Sequence, residues 1–408
     1  GGDIDGRNLG SYAISPDGLR LAAAVKRAGW MVAMDEKEMG PYDEIQGLRF
    51  SPDSRRLAFY SRRGKIWRVV LDGVEQPEFP PDSIVAGMII GGQLAFSPDS
   101  QHLAYIAYSA RGRGHVVVDG RAWPEYVRFG HPVFSPNSEH VAVACYRPPP
   151  VGGMVVLLDG KEVGGTESWE SASFAFRPSR SDLVAVGGLG GGFACFGMKV
   201  DQDPNHRFAT LASYKGDSGP YIRWLNFSED GAHWSYALGD FRSFDLYMDG
   251  RSVYYGAGSL SEVRLSRDGN RLAALVSPPG GILDFKLATD PATGLKKVLE
   301  LRKHEVVSGG LLSGSNWLSM SPGGRHLAYV QSVTHRRTKE HWLVIDGQEG
   351  PHFQEAPPYL EFALMKPVWI SEDQVAYLGG RDTAGGPAWY RVVQRAPAQE
   401  MWTPAAKQ

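Results

Sequence analysis

Three features of the sequence predict an all-β chain built as a β-propeller of four-stranded antiparallel blades. An anchor recurs along the whole length: an apolar residue, then Ser-Pro-Asp-Gly or a variant, then Leu-Ala or a variant. Apolar runs ending in Asp-Gly follow it, as in WRVVLDG, HVVVDG, MVVLLDG, FDLYMDG and HWLVIDG. Turn formers are abundant, with 50 Gly and 27 Pro in 408 residues.

The anchors stand at Ile14, Phe50, Phe96 and Phe134, and in looser form at Phe176, Phe227, Leu265, Met320 and Trp369. Successive anchors lie 36 to 55 residues apart, the size of one blade. Within a unit, the alternation of Leu48-Arg49-Phe50 marks strand a. Ser-Pro-Asp-Gly is a turn: Pro presets φ, Asp bonds back to the backbone, and Gly accepts positive φ. Strand b follows, as in HLAYIAY. Strand c ends in Asp-Gly, a strong hairpin signal between apolar runs. Strand d is more polar, as in AWPEYV.

Nine anchors predict nine blades in one domain spanning 1–408. The alternative is eight blades and a stray hairpin, the fifth and ninth units being the weakest. One blade cannot bury both its faces, and its neighbours do so. Phe50, Phe96, Phe134, Phe176 and the Leu-Ala pairs are therefore read as inter-blade core. The Asp of each turn is read as a turn residue rather than a catalytic acid. Closing the series into a ring covers its edge strands, with residues 1–8 or the EMWTP tail supplying an outer strand.

FSPDSQHLAYIAY and HVVVDG resemble the TolB-type propeller repeat, a relative of WD-type repeats, over about residues 7–395. The resemblance implies the fold and is almost silent on function, because one fold hosts many chemistries. It leans the compartment towards the periplasm or the cell exterior, with the cytoplasm as the alternative.

Composition narrows the function classes. A net charge of -2 excludes a chain-wide polyanion binder, so no nucleic-acid partner is expected. Cys145 and Cys195 lie in apolar runs and are read as two buried thiols, without a disulfide framework or a CxxC zinc site. No apolar window is long enough for a transmembrane helix. The opening GGDIDGRNLG has neither a basic nor an apolar signal region, so it fits a mature exported protein or a cytoplasmic one.

Motifs with chemical associations read as ordinary loops. GDSGP at 216–220 lacks a glycine of the serine-protease loop and lies between blades. No G-x-S-x-G elbow is present, so a prolyl-oligopeptidase hydrolase half is missing. GGLGGGFACFG at 187–197 sits between two expected strands, whereas a dinucleotide loop needs a helix after it. DIDGRN at 3–8 and DQDPN at 201–205 lack the Glu of a calcium loop, since Ile14 and Ala212 fall at the twelfth position. The NFS sequon at 226–228 falls on an anchor strand. At the inner ends of strand a only His131 and Glu262 are metal-capable, and they lie three blades apart, so no metal or cofactor is expected. HRRTKEH at 335–341 reads as a solvated basic loop.

One asymmetry remains. The b–c loops carry Lys26, Arg27, Arg62, Arg63, Lys65, Arg111, Arg113, Arg147, Arg242, Arg336, Arg337, Lys339 and Arg381 against Asp240, Glu340 and Asp382. The d–a insertions at 80–92, 200–222 and 287–315 are expected on the same face, with Asp43, Glu44, Glu167, Glu170 and Glu305 offsetting part of the charge. Elaborated loops on a rigid scaffold are where binding resides. The reading is a non-catalytic propeller that binds a macromolecular partner, protein in preference to nucleic acid. Its candidate residues are Lys26, Arg27, Arg62, Arg63, Lys65, Arg111, Arg113, Arg336, Arg337 and Lys339. The alternative is an exported carbohydrate-active propeller enzyme of lyase or hydrolase type.

Overall fold

The computed structural model describes residues 9–35, 37–77, 94–108, 113–166, 172–178, 182–189, 192–200, 209–215, 221–239, 242–277, 281–305, 318–335, 338–354, 367–383 and 386–397. All regular elements among them are strands. The chain divides into two compact units, Asn8–Gly219 and Pro220–Gln408 with Gly1–Arg7.

In the first unit, strands a to d of blade 1 are Leu9–Ile14, Leu21–Lys26, Trp30–Met34 and Lys37–Tyr42. Those of blade 2 are Glu44–Phe50, Leu57–Arg63, Ile66–Leu71 and Val74–Glu75. Blade 3 has Leu94–Phe96, Leu103–Tyr108, Arg113–Val118 and Arg121–Ala122. Blade 4 has Val133–Phe134, Val141–Tyr146, Met154–Leu158 and Lys161–Thr166. Blade 5 has Ala172–Phe176, Leu183–Leu189, Gly192–Met198 and Ala209–Lys215.

In the second unit, blade 6 has Tyr221–Phe227, Trp234–Gly239, Ser243–Met248 and Arg251–Ala257. Blade 7 has Ser259–Leu265, Arg271–Ser277, Gly281–Thr289 and Lys296–Glu305. Blade 8 has Leu318–Met320, Leu327–His335, Thr338–Ile345 and Gln348–Glu349. Blade 9 has three described strands, Val368–Ser371, Gln374–Thr383 and Gly386–Arg395. Neighbouring strands of each blade pair antiparallel in chain order. Every anchor lies in strand a of its own blade, at the last residue except for Trp369. The fifth unit, weakest by sequence, forms a full four-stranded sheet without Asp-Gly.

The turns follow the residue chemistry. Asp72, Asp119, Asp159, Asp249 and Asp346 take φ between 48° and 53°, each followed by a glycine of positive φ. Two such residues in succession make the turn whose twist matches a hairpin, and Asp is among the few non-glycine residues that tolerate it. GGLGGG connects strands b and c of blade 5, as expected of a hairpin and not of a dinucleotide loop.

Alternation along strand b buries both faces. In blade 2, Leu57 and Phe59 pack with Ala22, Ala24, Val32 and Phe50, between blades 1 and 2. Ala58 and Tyr60 point the other way, to Leu94, Leu103 and Tyr105 of blade 3. Similar layers lie between blades 3 and 4, 4 and 5, 6 and 7, 7 and 8, and 8 and 9.

Four elements differ from the sequence reading. The expected d–a insertion 200–222 contains strand d of blade 5, Ala209–Lys215. HRRTKEH is largely strand and not a solvated loop: His335 ends strand b of blade 8, residues 338–341 open strand c, and His341 is buried. AWPEYV is not one strand: Arg121–Ala122 ends strand d, and Tyr126–Val127 forms a separate strand. Pro124 lacks the N–H that a continuous ladder needs. Val127 pairs with Arg113 of blade 3 and also with Tyr146 of blade 4, so the two blades join in one nine-stranded sheet. The segment 287–315 is largely not an insertion: the long hairpin of Gly281–Thr289 and Lys296–Glu305 absorbs it up to residue 305. Its turn is closed by Gly294 N–H donating to Asp290 O at 2.8 Å. The alternation of KKVLELRKHE suits an outer strand, which the loop reading overlooked.

Candidate functional site

Polar residues of the motif converge at the end of each blade that carries the a–b and c–d turns. Ser15, Ser51, Ser97, Ser135 and Ser228 are completely buried. In blade 2, Ser51 Oγ donates to Asp53 Oδ1 at 2.5 Å and accepts from Arg56 N–H at 2.9 Å. Arg55 N–H also donates to Asp53. These bonds, Ser51's first, hold the Asp53 carboxyl below the usual carboxylate range. Asp17, Asp99 and Asp230 are held low in the same way, chiefly by Ser15, Ser97 and Ser228. The motif Asp is thus a turn residue.

The residue just before Leu-Ala completes the network. Arg56 pairs with Asp72 Oδ2 of its own Asp-Gly turn at 2.9 Å. Arg20 pairs with Asp35, and His102, His140, His233 and His326 with Asp119, Asp159, Asp249 and Asp346. The other Asp oxygen accepts the next backbone N–H, as Asp72 Oδ1 does from Leu57 at 2.9 Å. Arg20 also reaches the next blade, donating to Ser54 O at 2.9 Å and lying 5.5 Å from the Phe50 ring centre. The sequence reading missed these bases, although a signal was present. Arg or His precedes the Leu-Ala pair or its variant in GLRLA, SRRLA, SQHLA, SEHVA, GAHWS, GNRLA and GRHLA, whereas blades 5 and 9, without Asp-Gly, carry Asp182 and Gln374 there. Blade 7 keeps Arg271 without Asp-Gly and pairs it with Asp284 of strand c.

Ser54, Ser100 and Ser138 occupy the turn position that Gly18, Gly231 and Gly269 fill elsewhere, with φ of 65° to 66°. Each hydroxyl accepts a backbone N–H from the preceding blade: Asp17 to Ser54, Asp53 to Ser100, and Asp99 to Ser138, at 3.0 to 3.1 Å. A second row of bonds joins neighbouring strands a. Arg49 donates to Leu94 O at 2.7 Å, Asn226 to Val263 O at 3.3 Å and Arg264 to Leu318 O at 3.2 Å. Glu262 belongs to this row, accepting from Leu318 N–H at 2.8 Å, and burial, its largest influence, pushes its carboxyl up. Asn226 of the sequon lies in the same row.

The opposite end, with the b–c and d–a connections, is organised differently. In blades 1 to 4 cations lie over rings there: Lys26 over Trp30 at 5.7 Å, Arg62 over Trp67 at 5.9 Å, Arg63 over Tyr42 at 4.8 Å and Arg128 over Tyr146 at 5.8 Å. Most arginines also face a carboxylate. Arg27 pairs with Glu38 at 2.6 Å, Arg62 with Glu44 at 3.2 Å and Arg63 with Glu75 at 2.8 Å. Arg113 pairs with Glu125 at 2.9 Å and Arg147 with Glu162 at 2.8 Å. The Arg147 bond, with one from Tyr126, keeps Glu162 below its ordinary range despite burial. The b–c hairpin of blade 2 is held from both sides: Gly64 N–H donates to Asp43 at 2.5 Å and Arg62 donates to Gly64 O at 2.8 Å.

The structure therefore brings Lys26, Arg27, Arg62, Arg63, Lys65 and Arg113 to b–c ends as the sequence suggests. The rim is less positive than a count of loop bases implies, because Glu38, Glu75 and Glu162 from strands d, Glu44 from a strand a and Glu125 pair with the arginines. Lys65 is exposed at the tip of the blade 2 hairpin. Arg111, Arg336 and Arg337 lie outside the described residues, as do the Lys339 side chain, GDSGP, DIDGRN, DQDPN and 80–92. Cys145 is a free, buried thiol, and the Cys195 side chain also lies outside the described residues. His131 is exposed. Among the described residues no cluster of three metal-capable side chains occurs, and no helix is long and apolar enough to cross a membrane.

Successive four-stranded antiparallel sheets, each packed face to face on the next within its unit, define a β-propeller protein. The crystal structure of a eukaryotic initiation factor is similar in shape, with a TM-score of 0.55 at 13% identity over 89% of this chain and 91% of its own. An oligogalacturonate lyase solved with manganese and the Dos1 propeller reach TM-scores of 0.45 and 0.44. Their identities are 13% and 11%, over 96% and 79% of this chain and 96% and 89% of their own. At such distances the likeness extends to the fold alone. No family model matches the chain, and no curated protein does.

Proposed function

We propose that this chain is a non-catalytic propeller with TolB-like repeats, serving as a scaffold or subunit that binds a protein partner through the b–c and d–a end of blades 1 to 4. The observation that carries this is the interleaving of cations and rings there, Lys26 on Trp30, Arg62 on Trp67, Arg63 on Tyr42 and Arg128 on Tyr146. Arginine, tryptophan and tyrosine are the residues that dominate binding energy at protein interfaces. Pairing to Glu38, Glu44, Glu75, Glu125 and Glu162 leaves a mixed surface, which suits a protein better than a nucleic acid that gains from unpaired cations. At the opposite end the motif serines, aspartates and the bases before Leu-Ala hold turns and the next blade. The TolB-like character of the repeat argues for an exported protein.

The test is capture from the source extract on the wild-type chain, on Arg27→Ala/Arg63→Ala/Lys65→Ala, and on Leu19→Ser, a control at the a–b end where Leu19 is 76% exposed. A protein held by the wild type and the control but lost from the triple variant supports the reading. Equal retention by all three, or loss from the control alone, refutes the assignment of the face. Turnover of a polysaccharide by the purified chain would favour the lyase or hydrolase alternative.

A further inference from the structure

Blade 8 lacks a group that its repeat requires. Ser15, Ser51, Ser97, Ser228 and Ser266 each donate to the Asp two residues on, and Ser135 to Asn137. In blade 8 the turn reads Ser321-Pro322-Gly323-Gly324, with no side chain at the Asp position. The carboxylate comes instead from Glu372, on the a–b turn of blade 9. Glu372 accepts from Ser321 Oγ and Gly323 N–H, and from Arg325 N–H at 3.2 Å. The Arg325 guanidinium lies 3.4 Å away. A Cβ at Gly323 would stand 2.8 Å from Glu372 Oε2, so a local Asp and the visiting Glu exclude each other.

Asp373 makes a second link. It lies 3.2 Å from His326 Nε2 and 3.6 Å from Arg325, while His326 Nδ1 contacts Asp346 at 2.5 Å. The imidazole thus bridges two carboxylates, one from each blade. Trp369 stacks on its ring at 6.4 Å, and Arg271, paired with Asp284, stands 3.9 Å from Asp346. Behind these groups Ala328, Leu343, Ile345 and Phe353 pack on Val375 and Tyr377. By contrast, the inter-blade bonds found at the turns of blades 1 to 4 use backbone groups, serine hydroxyls and arginines. None of those bonds needs a carboxylate from the adjoining blade.

We propose that blade 9 is a releasable blade, latched to blade 8 by Glu372 and Asp373, and that acidification opens this seam before the seams of blades 1 to 4. Burial raises the Glu372 carboxyl, but the bonds from Ser321, Gly323 and Arg325 and the Arg325 charge outweigh it and hold it low. A carboxyl held low in the folded state stabilises above its unfolded pKa, and that contribution is lost as pH falls through the folded one. Opening uncovers Leu343, Ile345 and Phe353, an apolar face that the closed molecule hides.

The test is hydrogen exchange by mass spectrometry on the whole chain, corrected for intrinsic rates. On moving from neutral pH to about pH 3, below the ordinary carboxylate range, strands b and c of blade 9 should lose about tenfold more protection than strand b of blade 2, the effect of one charge-assisted hydrogen bond. Glu372→Gln should show that loss already at neutral pH. In Gly323→Asp/Glu372→Gln the turn regains its own carboxylate, so Ser321 is served while blade 9 stays loose. Equal loss in blades 2 and 9, full protection in Glu372→Gln, or recovery of blade 9 in the double variant would each overturn the latch.

Discussion

Replacing Arg271 by Ala should destabilise the second unit far more than the same change at Arg20, although both occupy one position of the repeat. Arg271 donates to Asp284 through Nε and a terminal nitrogen at 2.9 and 2.8 Å, and to Gly324 O and Arg325 O at 3.2 and 2.7 Å. Its side chain is 4% exposed and that of Asp284 0%, against 27% and 50% for Arg20 and Asp35. Removing one partner of a buried pair leaves an uncompensated charge and costs about 3–5 kcal/mol, while an exposed pair contributes at most about 1 kcal/mol. For a unit of this size the loss corresponds to a melting temperature lower by roughly 6–20 °C. Burial, the largest influence on Asp284, pushes its carboxyl up, but the Arg271 bonds and charge, helped by His304, hold it low. Arg271→Ala removes that opposition. The stability gap to the wild type should therefore be widest at neutral pH and shrink on acidification, as the lone Asp284 takes up a proton. Urea denaturation followed by tryptophan fluorescence across a pH series measures both effects. A double variant, Arg271→Met/Asp284→Leu, should recover much of the loss, since a buried pair exchanges for apolar residues at small cost. Losses within about 0.5 kcal/mol of each other for Arg271→Ala and Arg20→Ala, or a gap that widens in acid, would refute the reasoning.

Three further outcomes are expected. Ser100→Gly should be milder than Ser100→Ala: both lose the bond from Asp53 N–H, but only glycine is relaxed at a φ of 66°, a difference of about 1 kcal/mol by equilibrium unfolding. Burial pushes the Cys145 thiol up to about 12, so a thiol reagent at pH 8 should leave this residue unmodified until denaturant is added, as peptide mapping will show. Asp17, Asp53, Asp99 and Asp230 are held low by their serines, so stability should fall as pH drops through the carboxylate range, and Asp230→Asn should reduce that dependence in a calorimetric pH series.

Much of the fold was legible because it repeats. The period of two along strand b, the Asp-Gly turns and the Ser-Pro-Asp turns depend on local backbone chemistry, which each blade states afresh. The anchors at Phe50, Phe96 and Phe134 therefore mark the ends of strands a, and Leu57 and Ala58 bury opposite faces. The b–c positions of Lys26, Arg27, Arg62, Arg63, Lys65 and Arg113 follow from the same order of strands. Their surroundings do not, because the carboxylates that meet them arrive from strands or connections some ten to twenty residues away. Only the tertiary structure shows that Glu44 faces Arg62, that Glu75 faces Arg63 and that Tyr42 lies under Arg63. It alone shows Pro124 dividing a strand so that Val127 bridges two blades. The clearest case is Gly323, which by sequence is a motif residue gone missing. Across the blade boundary it is the space that Glu372 fills, because packing brings that carboxylate to the serine that would otherwise lack it.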